Sequence, residues 1–169
     1  IWRNRLTGST CGNAQLVIDP DNASRLYVSN CDGVRRTENA ADSNPWSTVG
    51  PADITNPRIS IARSNPAVVY FLENKTVYRS ANYGTTTVTR PSVVGSEEEI
   101  GVQYVLNDLV VHSGNEDVIY VATNANGVFK SADGGSTWIA RNHQLPNQGQ
   151  GFSVRLIAVD PMDGETVYI

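Results

Sequence analysis

Apolar residues in this chain come in short runs closed by turn-forming clusters, and the runs return in a fixed order. Tyr27, Tyr70, Tyr120 and Tyr168 occupy matching settings (Arg-Leu-Tyr-Val, Val-Val-Tyr-Phe, Val-Ile-Tyr-Val, Thr-Val-Tyr-Ile) at spacings of 43, 50 and 48 residues. Upstream of each lies an apolar run ending in a turn: Leu16-Val17-Ile18-Asp19-Pro20, Ile59-Ser60-Ile61-Ala62, Leu109-Val110-Val111-His112 and Leu156-Ile157-Ala158-Val159-Asp160-Pro161. Downstream of the first three comes a polar turn and a third run: Val34-Arg35-Arg36-Thr37, Val77-Tyr78-Arg79-Ser80 and Val128-Phe129-Lys130-Ser131. Trp2, Trp46 and Trp138 then open a fourth. Runs this short, bounded by Gly, Asn, Asp and Pro, read as β-strands. Four strands every ~40–50 residues make a repeating sheet unit of blade size.

The first run of each unit is apolar on consecutive positions, which predicts a strand covered on both faces. The second alternates more, and the third carries Arg35, Arg79 or Lys130 as exposed charge. The expected gradient therefore runs from a most-enclosed inner strand to solvated outer ones. Short strands at this density also suit a β-sandwich, but a sandwich does not explain the same four-strand order returning. Three units read as complete, about 14–49, 58–90 and 105–141, with partial units at 1–8 and 153–169.

Between the third and fourth strands of the third unit stands Ser131-Ala132-Asp133-Gly134-Gly135-Ser136-Thr137-Trp138. Gly134-Gly135 between β-rich runs predicts a tight turn, since glycine enters φ > 0 without a Cβ clash. Ser131, Asp133 and Thr137 have short side chains suited to the backbone groups such a turn leaves unpaired. Weaker copies occur at Ser80-Ala81-Asn82-Tyr83-Gly84-Thr85-Thr86-Thr87 and at Thr37-Glu38-Asn39, which leads to Pro45-Trp46. This S-x-D-x-G-x-T-W pattern resembles the Asp-box, or bacterial neuraminidase repeat, of β-propellers. The resemblance implies an all-β fold of four-stranded antiparallel blades. It also implies that Ser131, Asp133, Gly135, Thr137 and Trp138 form a structural turn remote from the active centre of the enzymes that carry it; a ligand or metal role for Asp133 is the alternative. Propellers of the resembled families have six or more blades, so the chain, which begins at Ile1-Trp2 without Met, reads as an excerpt of a longer ring. Closure into a small four-bladed ring through Trp2's strand and association of several copies are the other routes.

Composition narrows the partners. Thirteen basic residues against seventeen acidic give a net charge of −4, so there is no basic footprint for nucleic acid or anionic membrane. No apolar run approaches the ~20 residues of a membrane span, and no signal peptide is read. The spacing of Cys11 and Cys31 matches no metal or redox motif. They read either as two buried thiols or as one disulfide on adjacent loops of one blade. A disulfide would place the protein outside a reducing cytosol, in an extracellular, periplasmic or cell-surface setting. No metal site and no cofactor are expected.

Candidate chemistry gathers on the rim built from residues 4–13, 30–33, 50–57, 72–75, 91–104, 123–127 and 142–153. Arg58 and Arg155 read as repeat-equivalent, near the central channel, where a guanidinium fork can hold a carboxylate. The alternative is that each pairs with a local acid or covers a strand end. Sialidases of the resembled superfamily hold their sugar's carboxylate through arginines, but their Arg-Ile-Pro signature is not matched, since Arg58 is followed by Ile59-Ser60. A glycosidase needs two carboxylates flanking the scissile bond. Asp108, at the start of an inner strand, is the best-placed acid; Asp53 and Glu97-Glu98-Glu99 lie on rim loops, the glutamates reading as a solvated run. His143 sits in a long polar rim loop whose amides suit sugar hydroxyls, and His112 reads as packing at a strand end. Asn22-Ala23-Ser24 and Asn74-Lys75-Thr76 match the glycosylation sequon. The expected function is a non-catalytic propeller segment, secreted or on the cell surface, that binds glycan or protein or joins further blades or other copies of the chain. The alternative is part of a glycoside hydrolase resembling sialidases or xyloglucanases. A sortilin-like receptor propeller fits the turn but lacks its cysteine-rich module.

Overall fold

The computed structural model describes residues 15–39, 46–90 and 105–169. Trp2, Cys11, the 1–8 segment and Glu97-Glu98-Glu99 lie outside the described residues. Strands β1 (Gln15–Ile18), β2 (Leu26–Asn30), β3 (Gly33–Thr37) and β4 (Trp46–Val49) form one antiparallel sheet in that order. β5 (Arg58–Ile61), β6 (Val69–Glu73), β7 (Thr76–Ser80) and β8 (Val88–Thr89) form a second. β9 (Leu106–Val111), β10 (Ile119–Thr123), β11 (Val128–Ser131) and β12 (Ile139–Ala140) form a third, and β13 (Ala158–Val159) pairs with β14 (Val167–Tyr168). Among the described residues no α-helix occurs. The fold is all-β, in four-stranded antiparallel sheets with the arrangement of propeller blades.

Strand register superimposes the units residue by residue. Tyr27 lies opposite Val17 and Arg36, Tyr70 opposite Ser60 and Arg79, and Tyr120 opposite Val110 and Lys130. The first strands lie side by side, β1 against β5, β5 against β9 and β9 against β13. Consecutive sheets stack face to face and enclose one apolar cluster per joint. Tyr27, Val34 and Val49 meet Ile59, Val69 and Phe71 at the first joint. Tyr70, Leu72 and Val77 meet Leu109, Ile119 and Val121 at the second, and Tyr120 and Val128 meet Val154 and Ile157 at the third.

Two expectations are overturned by this stacking. The most enclosed strand is the second, not the first: Val69, Tyr70 and Phe71 are wholly buried, whereas Leu16 is 59% and Ile18 55% exposed. A middle strand has a sheet on each face, while a first strand turns partly toward the central space. Leu16 and Ile18, on the face where Ile59 and Leu109 are covered by the preceding unit, have no such cover among the described residues. The third-strand cations are likewise not free charges. The register picks out Arg36, Arg79 and Lys130, rather than Arg35, as the repeated position, and each reaches the following unit.

Each reach is built on the repeated tyrosine. The Tyr70 hydroxyl donates to the carbonyl of Glu116 at 2.9 Å and accepts from Arg79 Nε at 3.1 Å, while Arg79 Nη2 lies 2.9 Å from Asp117 Oδ1. Lys130 Nζ sits 5.3 Å above the Tyr120 ring and 2.8 Å from the Glu165 carboxylate. At the first joint no acid faces Arg36 from the following unit's first turn, and the Tyr83 carbonyl takes its place. Tyr27 Oη donates to it at 3.3 Å and Arg36 Nη1 donates as well. Tyr83 is held at φ 58, a left-handed conformation costly for a residue with a Cβ, with Arg25 stacked 4.0 Å over its ring. Burial pushes the Tyr27 hydroxyl up to about 12, so it stays a donor throughout the ordinary pH range.

Because the Tyr70 hydroxyl is shared by both sides of a joint, Tyr70→Phe is expected to lower stability by about 1–3 kcal/mol through the groups it leaves unpaired. Lys130→Gln, which breaks a pair with an exposed glutamate, is expected to cost no more than about 1 kcal/mol. Urea denaturation of the two variants beside the wild type checks the order.

Candidate functional site

The Ser131–Trp138 turn is closed on itself. Ser131 Oγ, buried, accepts from Gly135 N at 2.8 Å and from Asp133 N at 3.3 Å, and donates to Asp133 Oδ1 at 2.8 Å. Asp133 also accepts from Ser136 N (2.9 Å), Thr137 N (2.8 Å) and Thr137 Oγ1 (2.7 Å). The Thr137 hydroxyl and backbone N–H, opposed by slight desolvation and aided by Ser131, hold the Asp133 carboxyl down at about 2. Gly134 and Gly135 take φ 66 and 88, as a reversal this tight requires. The degenerate copy repeats the wiring without the charge: Gly84 N donates to Ser80 Oγ and Thr86 N to Asn82 Oδ1, both at 2.9 Å. Both oxygens of Asp133 are engaged inside the turn.

The opposite rim is different. A cleft of about 580 Å³ is lined by Arg58, Asn107, Asn124, Ser153, Arg155 and Leu156. β5 places Arg58 at its first position; the β10–β11 loop supplies Asn124; and the segment entering the last unit supplies Ser153, Arg155 and Leu156. Buried polar bonds fix that segment: Val154 N donates to Thr123 O (2.9 Å), and Asn142 Oδ1 and Nδ2 bond Val128 N (2.8 Å) and Asn126 O (2.9 Å). Both guanidinium groups are exposed, and among the described residues neither has an acid partner.

Arg58 and Arg155 thus share a cleft, although they are not equivalent in the repeat. Pairing of Arg58 with Leu72, Asp108 with Ala122 and Gln15 with Ser29 puts Arg58 level with Gln15 and Asp108. Arg155 stands three residues before Ala158, which pairs with Tyr168, as Asn107 stands three before Val110, which pairs with Tyr120. It is therefore level with Asn107, one position away. Counting back from the ends of the runs, at Arg63 and Asp160, hides the offset in the sequence, because Ser60 is level with Ala158 and so Ala62, not Arg63, with Asp160.

Asp108 is committed elsewhere. Its Oδ1 accepts from Leu109 N at 3.0 Å and its Oδ2 from Ile157 N, just before β13 of the next unit, at 3.1 Å. His143 is exposed next to buried Asn142 and does not line the cleft; Asp53, at φ 58, lies in the exposed β4–β5 loop. His112 Nδ1 accepts from Gly114 N at 2.9 Å, with its ring against Gly164. Asn22 is half-buried in the β1–β2 turn, whereas Asn74 tips the β6–β7 hairpin at φ 53. Cys31 is disulfide-bonded, and Cys11 lies outside the described residues. Among the described residues no three His, Cys, Asp or Glu side chains gather into a metal-holding group. No helix there is long and apolar enough to cross a membrane. Asn107, Asn124 and Ser153 had no signal of their own; only the rim-loop assignments of 123–127 and 142–153 pointed toward the last two.

The fold and rim define a β-propeller segment, and known structures share it. A GH74 enzyme from Niastella koreensis aligns at TM-score 0.63 and 19% identity over 90% of this chain and 25% of its own. The GH74 xyloglucanase from Xanthomonas campestris aligns at 0.58 and 19% over 86% and 24%, and YCF48 from Cyanidioschyzon merolae at 0.60 and 13% over 91% and 47%. The chain therefore spans between a quarter and a half of these proteins, and at such identities the likeness concerns the fold. No protein-family profile and no curated protein sequence matches.

Removing the Ser131 hydroxyl leaves the buried Gly135 N–H without its partner, so Ser131→Ala is expected to lose about 1–3 kcal/mol in urea. Asp133, held below the ordinary carboxylate value of 3.8 at about 2, contributes stability that is complete above pH ~4 and lost as pH falls toward 2. The thermal midpoints of wild type and Asp133→Asn should accordingly converge between pH 5 and pH 2; a constant gap refutes the assignment.

Proposed function

We propose that this chain is a non-catalytic propeller segment that binds a glycan or protein ligand at the Arg58–Arg155 rim cleft and is joined through its uncovered sheet faces to further units. The observation that carries the reading is the state of Asp108. The inner-strand carboxylate best placed for general-acid or nucleophilic work has both oxygens occupied by backbone N–H groups of Leu109 and Ile157. Among the described residues that line the cleft there is no carboxylate, whereas glycoside hydrolysis needs two. What the cleft offers is donor chemistry: two guanidinium forks, two carboxamides and a hydroxyl, suited to holding an acceptor-rich ligand.

The joining role is supported by the uncovered ends. Leu16 and Ile18 expose the face that the preceding unit covers at every internal joint, and Tyr168, 58% exposed, occupies the position at which Tyr27, Tyr70 and Tyr120 are buried. A further four-stranded unit or another copy of the chain fits each face. The disulfide at Cys31 supports an extracellular, periplasmic or cell-surface setting.

Part of a glycoside hydrolase is the second reading, favoured by the GH74 names among the structural neighbours. A panel of fluorogenic glycosides and xyloglucan oligosaccharides separates the two. The expected outcome is no turnover, with Asp108→Ala lowering stability by about 1–3 kcal/mol through its two lost backbone partners. Turnover that disappears in Asp108→Asn, with the fold intact, favours the hydrolase.

A further inference from the structure

Asn-Gly occurs once in the chain, at Asn126-Gly127 in the β10–β11 connection. Packing demands the glycine: it sits at φ 67, and a Cβ there would lie 2.4 Å from Asn142 Oδ1 and 2.8 Å from Leu145 Cδ1. The Asn126 backbone is held on both sides, its N–H donating to Thr123 Oγ1 at 2.8 Å and its C=O accepting from Asn142 Nδ2 at 2.9 Å. Gly127 N donates to Phe152 O at 3.0 Å and Val154 N to Thr123 O at 2.9 Å, so the connection is tied to the segment that enters the last unit. The Asn126 side chain is the odd group in this arrangement. The residue is 6% exposed, yet its buried Nδ2 has no hydrogen-bond partner among the described residues, an unpaired donor of a kind that folded chains rarely keep.

We infer that Asn126 is a site of spontaneous deamidation, gated by the opening of this connection. The inference goes beyond the binding role proposed above and needs no ligand. Its chemistry uses only groups of the chain and water. The Gly127 nitrogen attacks Asn126 Cγ; the N–Cγ bond forms, the Cγ–Nδ2 bond breaks, and the amide leaves as ammonia with the proton that Gly127 N gave up. Water then opens the resulting five-membered imide at one carbonyl or the other, leaving aspartate or isoaspartate. Glycine is the least hindered nucleophile for this step, since no Cβ crowds the attacking nitrogen. While the connection is closed, the Gly127 N–H is committed to Phe152 O and the Asn126 backbone is fixed on both sides, so the nitrogen is not free to turn onto Cγ. Attack therefore waits for a local opening, and its rate follows the population of the open form. The step is one-way. Either product sets a carboxylate in place of an amide that already lacked a partner, and a buried unpaired charge costs far more than an unpaired amide. Isoaspartate also lengthens the main chain by one carbon. The segment that carries Ser153, Arg155 and Leu156 to the cleft then loses its anchor at Gly127.

The test ages the whole chain at mildly alkaline pH, in buffer and in urea, as wild type, Asn142→Ala and Asn126→Ala. Peptide mapping by mass spectrometry follows the amide-to-acid conversion, with Asn124-Ala125 as the internal comparison, and amide hydrogen exchange follows Gly127 and Val154. Conversion at Asn126 is expected to outpace Asn124 in urea, and to be about 10-fold or more slower in buffer. Asn142→Ala, which loses the bonds to Val128 N and Asn126 O, should raise the rate in buffer about 10-fold. Exchange protection at Gly127 and Val154 should fall as the wild type ages and stay constant in Asn126→Ala. Should Asn142→Ala not fold, the ratio of buffer to urea rates in the wild type, matched against Gly127 exchange, decides the gating. Equal rates at Asn126 in buffer and in urea overturn the gating, and Asn126 no faster than Asn124 in urea overturns the site. Deamidated protein with full protection at Gly127 and Val154 overturns the one-way release.

Discussion

The structure depends on one repeated contact: a buried tyrosine on the second strand of each complete unit (Tyr27, Tyr70, Tyr120) whose polar end must be met at the neighbouring unit. Its ring fills the apolar joint, but its hydroxyl arrives at the edge of that joint with hydrogen-bonding capacity that burial cannot leave unpaired. Tyr70 meets the Glu116 carbonyl and Tyr27 the Tyr83 carbonyl. The third-strand cation then spans the same boundary, so each joint is apolar in its centre and charged at one edge. Apolar faces alone would let two sheets slide by a residue pair. A directional bond from a buried ring fixes their register.

That contact also explains the division of labour between the two rims. On one rim, the closed Ser131–Trp138 turn and its copy at Ser80 present glycine backbone at the place where the preceding unit's tyrosine and cation arrive; a Cβ at Gly134 would stand 3.3 Å from Tyr70 Oη and 3.2 Å from Arg79 Nε. The polar residues of this rim are spent on geometry. On the other rim the first strands converge with less to satisfy. Gln15, Asp108 and Ser60 complete the backbone bonds between them, and Arg58 stands outside that scheme.

How much of this was legible beforehand follows from the range of the interactions involved. The hydrophobic rhythm around Tyr27, Tyr70, Tyr120 and Tyr168 identified the strands and their order, because alternation and turn chemistry are local. The wiring of the Ser131–Trp138 turn was legible for the same reason: every partner lies within a few residues of Asp133. Arg58 and Arg155 could be named as rim residues, but not the one-residue offset between them, since register is settled by pairing with β6 and β14 rather than by counting along the chain.

Sequence alone determined the class of element, the size of the repeat and the chemistry of its tightest turn, since these are contests between neighbouring residues. Tertiary structure decided which strand is most enclosed, which charges are free and which carboxylate is already occupied. Arg79 reads as surface charge until Asp117 of the next unit stands 2.9 Å away, and Asp108 as an available acid until Ile157 donates to it. The physical reason is the same in both cases. A polar group's availability is fixed by what a distant segment brings within hydrogen-bonding distance, and only the stacking of one sheet on the next brings it there.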